Sequence, residues 1–159
     1  MNINLIVVGK IKEEYYKKAC DEYLKRLSRY HKVKIYEVKD EKAPEKLSLK
    51  EEENIKDIEG QKIEKYINSN HYIIALDIKG QQLGSVQLSK KIQQIALEGK
   101  SEISFIIGGS LGLSKKILEK ATYKLSFSNM TFPHQLMRVI LLEQIYRASK
   151  INRNEPYHK

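Results

Sequence analysis

The chain has 159 residues, and its 29 lysines and arginines outnumber its 20 aspartates and glutamates, which gives a formal net charge of +9 at pH 7. This length favours one domain with a real core. The single cysteine excludes a disulfide framework and a cysteine-only zinc site, and no apolar run approaches the roughly 20 residues of a membrane span. The amino terminus lacks the basic and apolar segments of a signal peptide. We therefore expect a soluble, cytoplasmic protein that binds no metal and no membrane but has an anionic partner.

Hydrophobic periodicity predicts strands that alternate with helices along the chain. Short apolar or alternating runs predict five strands, at residues 3–8, 33–38, 72–76, 103–107 and 125–128. Apolar residues at steps of three and four predict helices at about residues 13–30, 85–98 and 133–150. Ser48 with Glu51 three residues later forms a capping box that predicts the start of a charged helix at 48–66, and a short helix is expected at about 115–120. Such alternation is typical of a single α/β domain in which helices cover both faces of a parallel sheet. The last helix has an apolar stripe that belongs either to the core or to a dimer interface.

The excess positive charge lies at the two ends of the chain. Residues 1–50 carry 13 basic and 8 acidic side chains, and residues 101–159 carry 9 and 4, whereas residues 51–100 are nearly neutral. Two interpretations remain open: a solvated basic surface that maintains solubility, or a surface that binds a polyanion such as nucleic acid.

Three strand ends have unusual sequences, and ligands of open α/β sheets bind at the carboxyl ends of strands. One is Leu76-Asp77, followed by Gly80; the others are residues 108–112 (GGSLG) and 126–134 (SFSNMTFPH). Adjacent glycines leave the backbone open to a ligand, although a tight turn is the simpler interpretation. Their spacing matches neither a dinucleotide fingerprint, nor a P-loop, nor a nucleophile elbow. The 126–134 segment mixes apolar with small polar residues, which suits the walls of a pocket for an aromatic heterocycle.

Two further features have a functional and an ordinary interpretation. His134 opens the last helix, where the positive helix end favours a neutral imidazole, but it could equally be a surface histidine. The end of the chain combines basic with aromatic side chains, namely Arg147, Lys150, Arg153, Tyr157, His158 and Lys159. Cations for phosphates and a ring for base stacking suit RNA, whereas a frayed terminus is the usual alternative.

At these residues the chain resembles the RlmH family of small SPOUT-class methyltransferases. The resemblance rests on residues 105–112 (FIIGGSLG), 125–138 (LSFSNMTFPHQLMR) and 157–159 (YHK), with support from 7–10 (VVGK) and 40–44 (DEKAP). It therefore spans essentially the whole chain. One departure is Asn154, which follows Arg153 where the family usually has glycine.

The resemblance implies a function and an architecture beyond what periodicity predicts. The function is S-adenosylmethionine-dependent methylation of N3 of a pseudouridine in large-subunit (23S) ribosomal RNA, on the assembled ribosome. The architecture is one SPOUT domain over residues 1–159, with a C-terminal deep trefoil knot in a cofactor-binding part at about 72–150 and a basic tail at 151–159. A homodimer is also implied, with the cofactor site next to the partner subunit.

The resemblance further implies site residues. The expected cofactor pocket consists of Leu76, Gly108, Gly109, Phe127, Ser128, Asn129, Met130, Thr131 and Phe132. His134 and His158 are the candidate proton acceptors, Arg138 or Arg153 would stabilise charge on the carbonyls of the RNA base, and Tyr157 would position the RNA.

Two other functional classes fit parts of the sequence. A non-catalytic ribosome-binding factor would share the charge and the tail. A nucleotide- or dinucleotide-binding enzyme of the Rossmann type would share the α/β pattern, but its glycine fingerprint is missing after the first strand.

Overall fold

The fold is built from strands and helices that alternate from one end of the chain to the other, and a computed structural model describes all of residues 1–159. The elements are β1 (Asn2–Val8), α1 (Glu14–Leu27), β2 (Lys32–Val38), α2 (Leu49–Glu64), β3 (Tyr72–Gln82), α3 (Ser85–Leu97), β4 (Glu102–Ile107), α4 (Lys115–Lys120), β5 (Tyr123–Ser126) and α5 (His134–Asn152). The strands form one sheet in the order β2-β1-β4-β3-β5, and every neighbouring pair is parallel. The expected parallel α/β sheet is thus confirmed. None of the helices is long and apolar enough to cross a membrane.

The central strands β1 and β4 are apolar on both faces because helices cover both sides of the sheet. On β1, Ile3, Leu5 and Val7 belong to the larger core cluster, which α1, α3 and α5 complete. The alternate residues Ile6 and Val8 face the smaller cluster, to which α2 and α4 contribute. Full burial of one such aliphatic side chain contributes roughly 1.5–3 kcal/mol, so these two strands supply much of the driving force for folding.

The most consequential error of the sequence-based assignment lies in β3, which was expected to end at Leu76 and instead continues to Gln82. Leu125 of β5 pairs with both Leu76 and Gln81, so the intervening residues bulge out of the ladder. Gly80 permits this bulge, since a Cβ there would lie 2.7 Å from the backbone of Lys124. The bulge depends on pairing with β5, which is distant in the chain, so the local sequence of β3 does not predict it.

The end of the chain is ordered, so the frayed-terminus alternative is wrong. Beyond α5, Asn154 adopts a left-handed φ of 54°. Its backbone N–H donates to Ile151 O (3.0 Å) and that of Glu155 donates to Lys150 O (2.9 Å), which closes the helix end. Asparagine tolerates this conformation better than most residues, which explains how it replaces the glycine usual in the family.

His31 joins the segment after α1 to α5 through a partly buried hydrogen bond. Its Nε2 lies 2.9 Å from Ser149 Oγ, and the Ser149 hydroxyl donates to Ile145 O. The imidazole is therefore the donor to Ser149. Burial, assisted by the positive amino terminus and Arg153, lowers the pKa of His31 from 6.5 to about 4.

The partly buried His31 side chain predicts an acid-sensitive contribution to stability. Between pH 6.5 and about 4 the unfolded chain protonates His31 and the folded chain does not, so the free energy of unfolding falls as the pH is lowered. Allowing for partial exposure, we expect a loss of about 1 kcal/mol from this residue at pH 5. Urea unfolding of wild type and His31→Gln at pH 7 and pH 5 measures it. The stability difference between the two proteins should shrink at pH 5; a difference independent of pH would contradict the assignment.

Candidate active site

A cavity of about 870 Å³ opens at the bulge of β3 and at the ends of β4 and β5, beside the first turn of α5. Its volume lies within the usual range for small-molecule sites. Residues from all three unusual strand ends line it, as the carboxyl-end rule for parallel sheets predicts. The long α5 helix closes one side of the cavity with His134 and Met137.

The residues expected to bind the cofactor lie together at this cavity, with one exception. The wall contains Leu76, Gly108, Gly109, Phe127, Ser128, Met130, Thr131 and Phe132. Asn129 does not line it; its Oδ1 instead accepts a hydrogen bond from Gln82 Nε2 (3.1 Å). Asn129 therefore joins the segment after β5 to the extended end of β3, a contact that exists only because β3 is longer than expected.

The small polar residues after β5 shape the backbone of the wall. Ser128 Oγ accepts from Met130 N–H (3.0 Å), and the Ser126 hydroxyl donates to Ser128 O (3.0 Å). These local bonds form a tight turn in place of a further stretch of strand. Met130 remains 74% exposed at the rim, which leaves an apolar side chain in solvent next to the cavity.

The glycine segment after β4 is both a tight turn and part of the cavity wall. Gly112 has a φ of 87°, and its N–H donates to Gly109 O (3.1 Å). A Cβ on Gly108 would lie 2.7 Å from the carbonyl carbon of Gly112. The glycines therefore form a tight turn and also line the cavity, so a turn and an open backbone for a ligand are compatible interpretations.

Two residues of α2 lie at or behind the cavity wall although nothing in the sequence identified them as candidates for the site. Lys56 lines the cavity. Glu59, only 4% exposed, lies behind Gly109 and accepts a hydrogen bond from the backbone N–H of Glu41 (3.0 Å). Burial raises the pKa of the Glu59 carboxyl. Both residues belong to a helix whose sequence is charged throughout, so nothing in their local pattern distinguishes them.

His134 is the candidate proton acceptor that the structure places at the cavity. Its imidazole packs against Gly9, whose φ of 89° turns the chain at the end of β1. Burial, with a contribution from the Arg138 guanidinium, lowers the pKa of His134 below its usual value. The imidazole is therefore neutral near pH 7 and able to accept a proton.

Arg138 is 4% exposed and is bound inside the protein. Its guanidinium donates from Nη1 to Glu37 Oε2 (2.9 Å) and from Nη2 to Gly9 O (3.1 Å). The side chain thereby fastens the first turns of α5 to the ends of β1 and β2. Arg138 lies four residues after His134 on α5, about one helical turn away; its contact with RNA stays a prediction.

The other candidate catalytic residues, Arg153, Tyr157 and His158, do not line the cavity. The Tyr157 hydroxyl donates to Glu143 Oε1 (3.1 Å), and His158 Nδ1 lies 3.3 Å from Arg147 Nη1. A guanidinium can only donate, so Nδ1 of His158 is the acceptor and the neutral ring carries its proton on Nε2. His134 and Arg147 are 13 positions apart on α5, or about 20 Å at 1.5 Å per residue. Within one chain the cavity and the tail are therefore separate surfaces.

Comparison with known proteins finds one matching family model and several relatives of high sequence identity. The family model described as "Predicted SPOUT methyltransferase" matches residues 1–158. The chain is 58% identical to a protein of Clostridium kluyveri and 60% identical to proteins of Clostridium novyi and Clostridioides difficile, in each case over 159 residues and the full length of both chains. Each of these relatives bears the name "Ribosomal RNA large subunit methyltransferase H".

Solved structures share the fold at low sequence identity. A tRNA (m1G37) methyltransferase from Aquifex aeolicus matches with a TM-score of 0.52 and 13% identity over 92% of this chain and 70% of that one. A probable methylase family protein from Haemophilus influenzae Rd KW20 matches with a TM-score of 0.55 and 10% identity over 96% and 66%.

The glycine turn gives a test of the cavity wall. Gly108→Ala forces the new methyl group against the backbone of Gly112, so we expect a loss of about 1–3 kcal/mol in the free energy of unfolding. Gly84→Ala is the matched control, because the nearest atom to its Cβ is Gln87 Oε1 at 3.5 Å, an ordinary contact. Urea unfolding of both variants measures the effect. Equal stability of the two would show that the 108–112 turn tolerates a side chain.

Proposed function

The chain belongs to the SPOUT methyltransferase family, and from this membership we propose that it methylates N3 of a pseudouridine in large-subunit ribosomal RNA, with S-adenosylmethionine as the methyl donor. The observation that carries the proposal is the 58–60% sequence identity, over the full length of both chains, to relatives named for large-subunit ribosomal RNA methylation. A ribosomal substrate also implies the cytoplasmic location expected from the composition.

The residues of the cavity suit such a donor. Leu76 and Phe127 offer apolar surface to an adenine ring, and the Gly108 turn exposes backbone to the ring edge. Asp77 suits the ammonium group of the methionine part, and Lys56 suits its carboxylate. When bound, S-adenosylmethionine supplies a methyl group on a positively charged sulfur. The protein's part is to hold donor and acceptor in line, since positioning alone supplies much of the rate in a direct displacement.

The acceptor nitrogen must lose a proton as it gains the methyl group. The bond between N3 and the methyl carbon forms, the carbon–sulfur bond breaks, and the N3 proton goes to a base. We assign this base to His134, which is neutral and lines the cavity. His158 presents an Nε2–H and is suited to donate to a carbonyl oxygen of the RNA base, as Arg153 is.

A homodimer would join the two surfaces that one chain keeps apart. The tail of one subunit would then reach the cavity of the other, so that Tyr157 and His158 hold the RNA base beside the donor. The exposed apolar side chains at the cavity rim, Met130 (74% exposed) and Ile78 (47% exposed), support a partner surface there. We extend the proposal to a deep trefoil knot in the cofactor-binding part at about 72–150, on the basis of the family membership.

The proposed reaction can be tested directly. Large ribosomal subunits and assembled ribosomes incubated with the protein and methyl-labelled S-adenosylmethionine should gain label at a pseudouridine of the 23S RNA. Naked RNA is the comparison substrate, and calorimetry measures donor binding in parallel. Absence of label together with absence of donor binding would refute the proposal. Ribosome binding that is indifferent to the donor would identify a non-catalytic factor instead.

Mixed subunits test whether two chains share one site. We expect His134→Asn to lower the rate by about 10²–10⁴-fold, because the proton acceptor is lost. A chain that ends at Glu155 should be comparably inactive but bind the donor normally. A co-expressed mixture of the two should regain about a quarter of wild-type activity, since half of the dimers are mixed and each mixed dimer has one intact cavity beside one intact tail. No recovery in a purified mixed dimer would show that each site is built within a single chain.

A further inference from the structure

A compact cluster of charged and aromatic side chains fastens the base of the tail to the rest of the protein. The Glu155 carboxylate accepts from Lys150 Nζ on α5 (2.7 Å) and from the hydroxyl of Tyr30, just beyond α1 (2.5 Å). The Arg153 guanidinium lies 4.7 Å from the centroid of the Tyr30 ring. We call Tyr30, Lys150 and Glu155 the tail anchor.

The anchor acts at a point where the chain changes direction. Asn154 is in the left-handed conformation directly before Glu155, and Pro156 follows with its restricted backbone. A carboxylate held by two partners on separate elements therefore determines where the last residues begin. The two partners also lower the pKa of Glu155, so the carboxylate stays charged at neutral pH.

Beyond the anchor, the tail lies along α5 and presents its functional groups there. The Tyr157 ring packs edge-on against Tyr146 (4.9 Å between centroids) and lies 4.7 Å from the Arg147 guanidinium. Glu143 accepts hydrogen bonds from both Arg147 and Tyr157, and Arg147 contacts His158. Glu155 makes none of these contacts itself.

We infer that the tail anchor is a positioning device: the Tyr30–Lys150–Glu155 contacts hold Tyr157 and His158 in the arrangement in which they meet the RNA. The inference rests on the proposed function and assigns to it residues that do not line the cavity and form no hydrogen bond with Tyr157 or His158. A tail ordered in advance loses less conformational freedom when RNA binds than a free tail does. The anchor should therefore act on RNA affinity and leave the donor site unchanged.

The test removes the charge of the anchor with little change in shape. Glu155→Gln is expected to raise KM for ribosomes about 5–20-fold, with kcat changed less than twofold and donor affinity unchanged. Tyr30→Phe should give a smaller effect in the same direction. The double variant should resemble Glu155→Gln alone, since both changes remove parts of one contact. Glu98→Gln is the matched control, because its exposed carboxylate accepts a hydrogen bond from Gln94 Nε2 (2.8 Å) at the end of α3; it should behave as wild type.

A second measurement reads the tail without RNA. Backbone ¹⁵N relaxation of residues 157–159 should report an ordered tail in wild type and Glu98→Gln and a mobile one in Glu155→Gln. An ordered tail in Glu155→Gln would overturn the inference, and so would a mobile tail with unchanged KM. Equal loss of donor and ribosome binding would also overturn it, since that pattern indicates general disruption. Failure of the wild type to methylate ribosomes would refute the proposed function, a result distinct from the relaxation data on the anchor.

Discussion

The arrangement of the candidate site depends on the hydrogen bonds of the buried Arg138 guanidinium. It joins α5 to Glu37 at the end of β2 and to the carbonyl of Gly9 at the end of β1. An arginine at 4% exposure is stable only when it is paired, and removal of one partner from such a pair typically costs about 3–5 kcal/mol. The pairing therefore sets where α5 begins, and with it the place of His134 beside Gly9 and the cavity.

The α5 helix connects the two surfaces that the proposed reaction needs. Its first turn lines the cavity, and its last turns carry Glu143, Tyr146, Arg147 and Lys150, which hold the tail. The helix separates these two groups in a single chain, and the proposed homodimer would bring the tail of one subunit to the cavity of the other. The two candidate histidines lie in different environments. His134 is partly buried and neutral, whereas His158 is exposed and contacts a guanidinium.

Much of the fold could be predicted from the sequence because its signals are local. Continuous apolar runs marked β1 and β4, the Ser48 N-cap marked the start of α2, and the glycines after β4 marked a turn at a strand end. The carboxyl-end rule then placed most of the expected pocket residues around one cavity. Asn129 lies outside the wall of that cavity, and its partner Gln82 is on a part of β3 that forms only through a bulged pairing with β5.

The sequence by itself determined the alternating parallel architecture and the presence of a basic, aromatic tail, and it indicated a candidate site at the strand ends, because periodicity, turn chemistry and composition act over a few residues. Tertiary structure alone decided that Arg138 is a buried clamp, that Glu59 lies behind the glycine turn, and that the tail is anchored by Tyr30. Each of these depends on a contact between residues distant in the chain, such as the 125 positions between Tyr30 and Glu155. No local pattern encodes such a contact, since it exists only once the sheet has brought the helices together.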